Sequence, residues 1–195
     1  RQFNLDLYGI DLNEERIKKA EQNLDRLNIN ANLFHEDFLK NEFEDKKFEV
    51  VVTNYIFLWL KDLKRGFEEI HRILQADGTL LILGEPDYGG LIEYPDTDIS
   101  NALFRNLRKV GADPEVGRKL NQYFVGRFKV MEKFCTSVPW IANDNQEGLL
   151  REVKFFSKLL KEEKWNPDVM RMCIEHENYF MFVPSFSYYL VKIEP

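Results

Sequence analysis

Glycine occurs ten times in these 195 residues, yet no two glycines flank a single intervening residue. A loop of the GxG kind, whose backbone amides cradle a phosphate, is therefore missing from the chain as given. Cysteine is scarcer: Cys135 and Cys173 are far apart and form no CxxC. That excludes a disulfide framework and fits reduced thiols in a cytoplasmic protein. No apolar run approaches the roughly 20 residues of a membrane span, and no signal-peptide pattern is present, so no membrane partner is expected. Lys and Arg number 27 against 33 Asp and Glu, a net charge of −6, which argues against a nucleic-acid surface. Histidine appears three times. Cys173-x-x-His176 has metal-like spacing but no second pair, so core packing for the Cys and a surface place for the His are expected, with no metal site. His35 and His71 are read as structural.

What is present is the composition of a globular domain, 44% hydrophobic and 31% charged, and residues 1–195 are expected to form one. The stretch LDLYGID reads as a strand, with Leu5, Leu7 and Ile10 apolar and Gly9 permitting close backbone approach. It ends on Asp11 and runs into a helix, which carries Ile17, Ala20, Leu24 and Leu27 on one stripe behind an Asn13 N-cap. An acid at such a strand end either binds ribose hydroxyls or simply caps the helix start, and the residues alone leave both open. The pattern then recurs: a strand at residues 31–34 followed by His35, Glu36 and Asp37. FEVVVTN is a β-branched run suited to a sheet buried on both faces, ending at Asn54. Leu63, Phe67, Ile70 and Leu74 mark a helix closed by a turn in which Gly78 is expected to be left-handed. TLLILG follows as a strand, with Glu85 and Asp87 beyond it.

Strand, helix, strand, strand, helix, strand implies an α/β doubly wound sheet whose ligand lies outside the carboxyl ends of the strands. Those ends present Asp11, Asp37, Asn54 and Glu85. Beyond Gly89 and Gly90 the chain turns helical: Ile99 to Val110, a helix introduced by Asp113-Pro114-Glu115, one on Leu149, Val153, Phe156 and Leu160, and one begun by Pro167. Two strands are expected here, RFKVMEKFCTSV and a final FSYYLVKI. Phe155, Phe156, Trp165, Tyr179 and Phe180 suit an aromatic lid or, more simply, core.

Taken together, YGIDLNEERIKKAEQNL, HEDF, FEVVVTNYIFLWLKDL and EEIHRILQADGTLLILGEP resemble the class I S-adenosylmethionine-dependent methyltransferases over roughly residues 6–85. The resemblance implies a Rossmann-like, mostly parallel sheet with an antiparallel C-terminal strand beside the fifth, and S-adenosylmethionine as cofactor. It assigns Asp11, with Leu12 beside it, to the ribose, and Asp37 to the adenine amino group with Phe38 against the ring. Asn54 and Tyr55 fall at the methionine end, and Trp59, Asp87 and Tyr88 near the substrate. Glu85, Tyr55, Asp87 and Tyr88 are the candidate general bases, Glu85 and Tyr55 foremost. The family's first strand and glycine loop are the departure. The loop belongs about 20 residues before the ribose acid, so the physiological chain is expected to be longer.

The implied activity is in-line methyl transfer to a small-molecule acceptor, which needs proximity and a water-poor mouth more than a covalent catalyst. A helical insertion at residues 141–178 is the expected lid. TNYI differs from the Asn-Pro-Pro-Tyr motif of methyltransferases acting on nucleobase or glutamine amino groups. Two rivals stand beside this reading: a degenerate, non-catalytic interaction module, and an NAD-dependent oxidoreductase, which leaves Asp37 unexplained.

Overall fold

The computed structural model describes residues 5–135 and 137–194. Where one domain is expected, the chain resolves into two compact units divided between Glu44 and Asp45. The first unit holds β1 (Tyr8–Asp11), α1 (Glu14–Leu27) and β2 (Asn32–His35), followed by a 3-10 turn at Phe38–Lys40. β1 and β2 pair in parallel, with Asp11 opposite His35, so both strands end at the same side. The strand starts later than its apolar pattern suggests, because Leu5 is largely exposed. Asn13 caps α1 as expected: its side chain accepts from the amides of Glu15 and Arg16 at 2.9 and 3.2 Å. Asn28, at φ 54°, ends the helix in the left-handed conformation usually given to glycine. Tyr8, Phe34 and Phe43 form the unit's aromatic cluster, with centroids 5.5 to 6.3 Å apart.

The second unit is built on a four-stranded sheet. Its members are β3 (Phe48–Asn54), β4 (Leu74–Pro86), β6 (Phe128–Cys135) and β9 (Ser185–Lys192), in the order β3-β4-β9-β6. β3 and β4 are parallel, while β9 is antiparallel to both neighbours, the place the final strand was expected to take. α2 (Leu63–Ile73) links β3 to β4 and buries Leu63, Phe67, Ile70 and Ile73. Its C-terminal turn differs from expectation: Asp77, not Gly78, takes the positive φ, at 56°. Gly78 is needed for a different reason, since a Cβ there would come within 2.9 Å of the Gln75 carbonyl oxygen. This turn interrupts the β3–β4 ladder, whose register passes from Phe48 opposite Leu74 to Val50 opposite Thr79.

One sheet face carries Leu80, Ile82, Tyr188 and Leu190, all buried. Above it lie α2 and two short helices, α4 (Val116–Lys119) and α5 (Asn121–Phe124). Phe67 is the hub of this core. It stacks on Phe57 at 4.7 Å and on Tyr123 at 5.7 Å, and meets Phe124 edge-on at 5.3 Å. Lys192 is nearly enclosed, and its ammonium donates to the Leu74 carbonyl at 2.8 Å, fastening the last strand to the start of β4.

The remaining elements form a cap. It contains β5 (Ile92–Tyr94), α3 (Ile99–Lys109), β7 (Trp140–Ile141), α6 (Ala142–Leu159), α7 (Pro167–Glu175) and β8 (Phe180–Phe182). The expected lid at residues 141–178 is thus part of a larger body with a three-stranded sheet of its own, β5-β8-β7. Those strands have two or three residues each, too short to show periodicity. The cap has a separate core in which Leu103 of α3, Leu149, Val153 and Phe156 of α6, Met170 and Ile174 of α7, and Tyr179 pack together. Glu93 ties its loops: its carboxylate accepts from the Thr97 amide and hydroxyl, the Ser100 amide and the Tyr179 hydroxyl.

Candidate active site

Two sets of candidate side chains are described in turn, one in each unit. In the first unit, Asp11 ends β1 and its Oδ1 accepts from the Asn13 amide at 2.8 Å. Its Oδ2 lies 3.6 Å from the exposed Arg16 guanidinium. Asp37 is arranged alike: Oδ1 accepts from the Leu39 amide at 3.0 Å, capping the 3-10 turn, while Oδ2 lies 3.9 Å from the Lys40 ammonium. Each acid therefore spends one oxygen on its own loop and, among the described residues, keeps the other beyond hydrogen-bond distance of a protein donor. Capping and ligand binding, alternatives in the sequence, are compatible in this geometry. Phe38 is half-buried next to Asp37, and Leu12 is exposed. His35 shares its Nε2 with the Leu12 carbonyl oxygen at 3.0 Å, a structural role.

In the second unit the turn after β3 is held from beneath by one carboxylate. Glu85 is fully buried, and its Oε1 and Oε2 accept from the amides of Phe57 and Leu58 at 3.0 and 3.3 Å. The Ile56 amide donates to it as well. Burial pushes the Glu85 carboxyl above the ordinary carboxylate range, and the three amides oppose that shift. Glu85 was expected as a catalytic base, but its oxygens are committed to backbone, so its role in this geometry is to position the turn. That turn carries Tyr55, at φ 54° and half exposed, and Trp59, also half exposed. The Tyr55 ring lies over Gly84, its Cε2 being 3.9 Å from where a Cβ would stand. Gly84 itself sits at φ 68°, a conformation that admits little else. Asn54 is exposed at the end of β3, opposite Leu83.

Asp87 corrects another expectation. It was placed at the substrate, yet it is 1% exposed and bound by Arg118 through Nε and Nη2, each at 2.6 Å, with the Arg118 amide at 3.1 Å. Its carboxylate is satisfied and anchors the loop after β4 to α4. α4 can approach so closely because of Gly117, where a Cβ would fall within 2.6 Å of Phe186.

Tyr88 follows and packs against the cap core. Burial pushes its hydroxyl up to about 12, and electrostatic coupling to Tyr55, Glu152 and Glu85, in that order, adds to the shift. Glu152, on α6, is partly buried, and desolvation raises its carboxyl against the pull of Arg151. Tyr55 is raised as well, by desolvation first and then by Glu85. Sequence reasoning missed Arg118, which lies 31 residues from its partner Asp87 and offers no local signal of the pairing.

The sheet order, with an antiparallel last strand inserted beside β4, joins a direct match: residues 1–82 fit the family model described as a methyltransferase domain. The fold is that of a class I methyltransferase. Among curated relatives, carboxy-S-adenosyl-L-methionine synthase of Nautilia profundicola is 32% identical over 81 residues, which is 40% of this chain and 34% of that protein. The chain spans about a third of the length of the first curated relatives it matches. Among solved structures, the MccD protein superposes with a TM-score of 0.59 at 17% identity, over 96% of this chain and 80% of that one. Geranyl diphosphate methyltransferase in complex with geranyl diphosphate and sinefungin gives 0.59 at 12% identity, over 98% and 65%. These likenesses show the shared fold.

Within this methyltransferase fold the other sequence candidates are structural. His176 is the C-cap of α7, its Nδ1 at 2.8 Å from the Met172 carbonyl, and Cys173 packs against the cap core. His71 bonds the Ile193 carbonyl at 3.1 Å. Among the described residues no group of three His, Cys, Asp or Glu could hold a metal ion, and no helix is long and apolar enough to cross a membrane. Of the aromatic residues, Phe156 and Tyr179 are buried in the cap core and Phe155 is exposed, so core rather than lid describes that stripe.

Proposed function

We propose that this chain belongs to an S-adenosylmethionine-dependent methyltransferase acting on a small-molecule acceptor. The observation that carries the reading is the pair of acids Asp11 and Asp37. Asp11 ends β1 and Asp37 follows its parallel neighbour β2, and among the described residues each has one carboxylate oxygen without a hydrogen-bond donor. Ribose hydroxyls and an adenine amino group are donors, the chemistry such oxygens accept. Asp11 would hold the ribose, with Leu12 alongside, and Asp37 the adenine amino group, with Phe38 against the ring. Asn54 and Tyr55 are proposed for the methionine end. An NAD-dependent oxidoreductase would account for Asp11 and leave the second acid idle.

When bound, the cofactor supplies an electrophilic methyl group on a sulfonium. Tyr55, Trp59 and Tyr88 would orient the acceptor and exclude water, while Glu85 keeps the turn carrying the first two in place. No covalent catalyst is required, and Tyr55 is the remaining candidate base on the turn.

The test is a calorimetric titration with S-adenosylhomocysteine and, in parallel, NAD. Binding of the first and not the second is expected, with Asp11→Ala weakening it by about tenfold or more through the lost charged hydrogen bonds. No binding of S-adenosylhomocysteine at millimolar concentration would sink the reading.

A further inference from the structure

Asn41 is a polar side chain buried in the first unit, 9% exposed, directly after the 3-10 turn that follows Asp37. Burying an amide is costly unless its ends are paired, so its partners show what it holds. Its Nδ2 donates to the Phe38 carbonyl at 2.6 Å, and its Oδ1 accepts from the Phe43 amide at 3.1 Å. The Asn41 backbone amide donates to the same Phe38 carbonyl at 3.4 Å. One residue thus joins the two ends of the loop that follows β2. The far end is fixed to the strands: the Phe43 ring meets Tyr8 of β1 and Phe34 of β2 edge-on, at 6.0 and 5.5 Å. The near end is supported locally, by the Leu39 amide on the Asp37 carboxylate at 3.0 Å and the Lys40 amide on the Asp37 carbonyl at 2.8 Å. Those bonds shape the turn, and Asn41 ties it to the ring that grips the sheet. The clamp needs a donor and an acceptor at this reach; aspartate lacks the donor and leucine lacks both. A turn released from the clamp could swing the carboxylate away and present the Leu39 amide instead, a donor that suits an oxo group rather than an amino group.

We infer that Asn41 is a positioning residue for the nucleobase: it fixes the Asp37–Phe38 turn to the strands through Phe43 before a ligand arrives, and so sets the preference for an amino purine over an oxo purine. Asn41 acts through Asp37 and Phe38 and touches no ligand itself. The inference rests on the reading of Asp37 as the partner of the adenine amino group.

The experiment titrates the protein calorimetrically with S-adenosylhomocysteine and with S-inosylhomocysteine, in which an oxo group replaces the amino group of the purine. The wild type should prefer the first by about tenfold or more, the scale of a hydrogen bond to a charged group. Asp37→Ala should abolish that preference. Asn41→Ala should weaken S-adenosylhomocysteine by about fivefold or more and S-inosylhomocysteine by less than about twofold, because a misplaced carboxylate penalises the amino purine alone. Asn41→Ser, whose hydroxyl can still accept from the Phe43 amide without reaching the Phe38 carbonyl, should lose the preference with a smaller change in thermal midpoint. In the free wild type the Phe43 amide should already be protected from hydrogen exchange, a measurement that needs no variant. A clamp that serves stability alone would weaken both ligands equally. Equal weakening, a preference that survives the Asn41 variants, or a Phe43 amide that exchanges unprotected in the free protein would overturn the inference and leave the role of Asp37 standing. Equal binding of the two ligands by the wild type, or a preference that survives Asp37→Ala, would overturn the reading of Asp37 and the inference with it.

Discussion

Arg118 grips Asp87 with two guanidinium nitrogens, each 2.6 Å from a carboxylate oxygen, and adds its own backbone amide at 3.1 Å. The acid is enclosed and the base is half exposed, so the pair ties the loop after β4 to α4 with one partner still in touch with water. Removing the base would leave a buried charge with no partner but backbone. Arg118→Ala should therefore cost about 2–3 kcal/mol, less than the ~3–5 kcal/mol for breaking a fully buried pair because of that exposure. Asp87→Asn combined with Arg118→Met should cost less than Arg118→Ala alone. Urea unfolding of the three proteins measures this.

Asp37 offers a way to separate folding from binding. Asp37→Asn keeps an oxygen to cap the 3-10 turn through the Leu39 amide, whereas Asp37→Ala loses the cap and about 1 kcal/mol with it. Both should weaken S-adenosylhomocysteine, since neither offers a carboxylate to the adenine amino group. Calorimetry together with thermal melts distinguishes the two effects.

Glu85 makes stability depend on pH with a definite sign. Burial raises its carboxyl in the folded chain above its unfolded value, so in the interval between the two the folded state holds more protons. Its burial penalty is absent below the unfolded value and sets in as pH rises through the raised one, lowering stability there. Glu152 is displaced in the same direction by desolvation. Glu85→Gln should flatten that part of the stability profile. Because Gln can accept through only one oxygen, its cost should appear as faster amide hydrogen exchange at residues 56–58.

The two cores of the second unit should respond separately. Phe67→Ala removes the hub of the sheet's aromatic core and should cost about 3–5 kcal/mol; Leu149→Ala in the cap should cost about 2–5 kcal/mol. Near-ultraviolet circular dichroism and the emission of Trp140 and Trp165, both packed on the cap core, should register Leu149→Ala more than Phe67→Ala.

Long periodic elements and capping chemistry were legible in the sequence. Asn13 caps the helix that follows it, and the apolar stripes of α2 and α6 face the cores they pointed to; Asp62 and Asn166 cap α2 and α7 without having been read as caps. The last strand's place beside β4 came from the resemblance, since register and order are not written in local pattern. What was hidden follows from distance and brevity. β5, β7 and β8 are too short to alternate, and the Asp87–Arg118 and Glu85–Phe57 contacts join residues far apart in the chain. The Gly78 expectation failed because glycine served close approach there, and Asp77 could adopt the left-handed turn that was assigned to it. At the candidate site, the acids at strand ends were visible as types and positions. Whether an acid stands free or is already spent on backbone was decided only by folding.

The cap's independence has a consequence for how this chain can change. Its hydrophobic centre, its three-stranded sheet and the Glu93 knot belong to residues 88–110 and 140–182, while Glu85 locks the turn bearing Tyr55 to β4 from below. The cap core can therefore be repacked, one side chain at a time, without loosening the turn that presents the Tyr55 ring, because the two are held by separate sets of contacts.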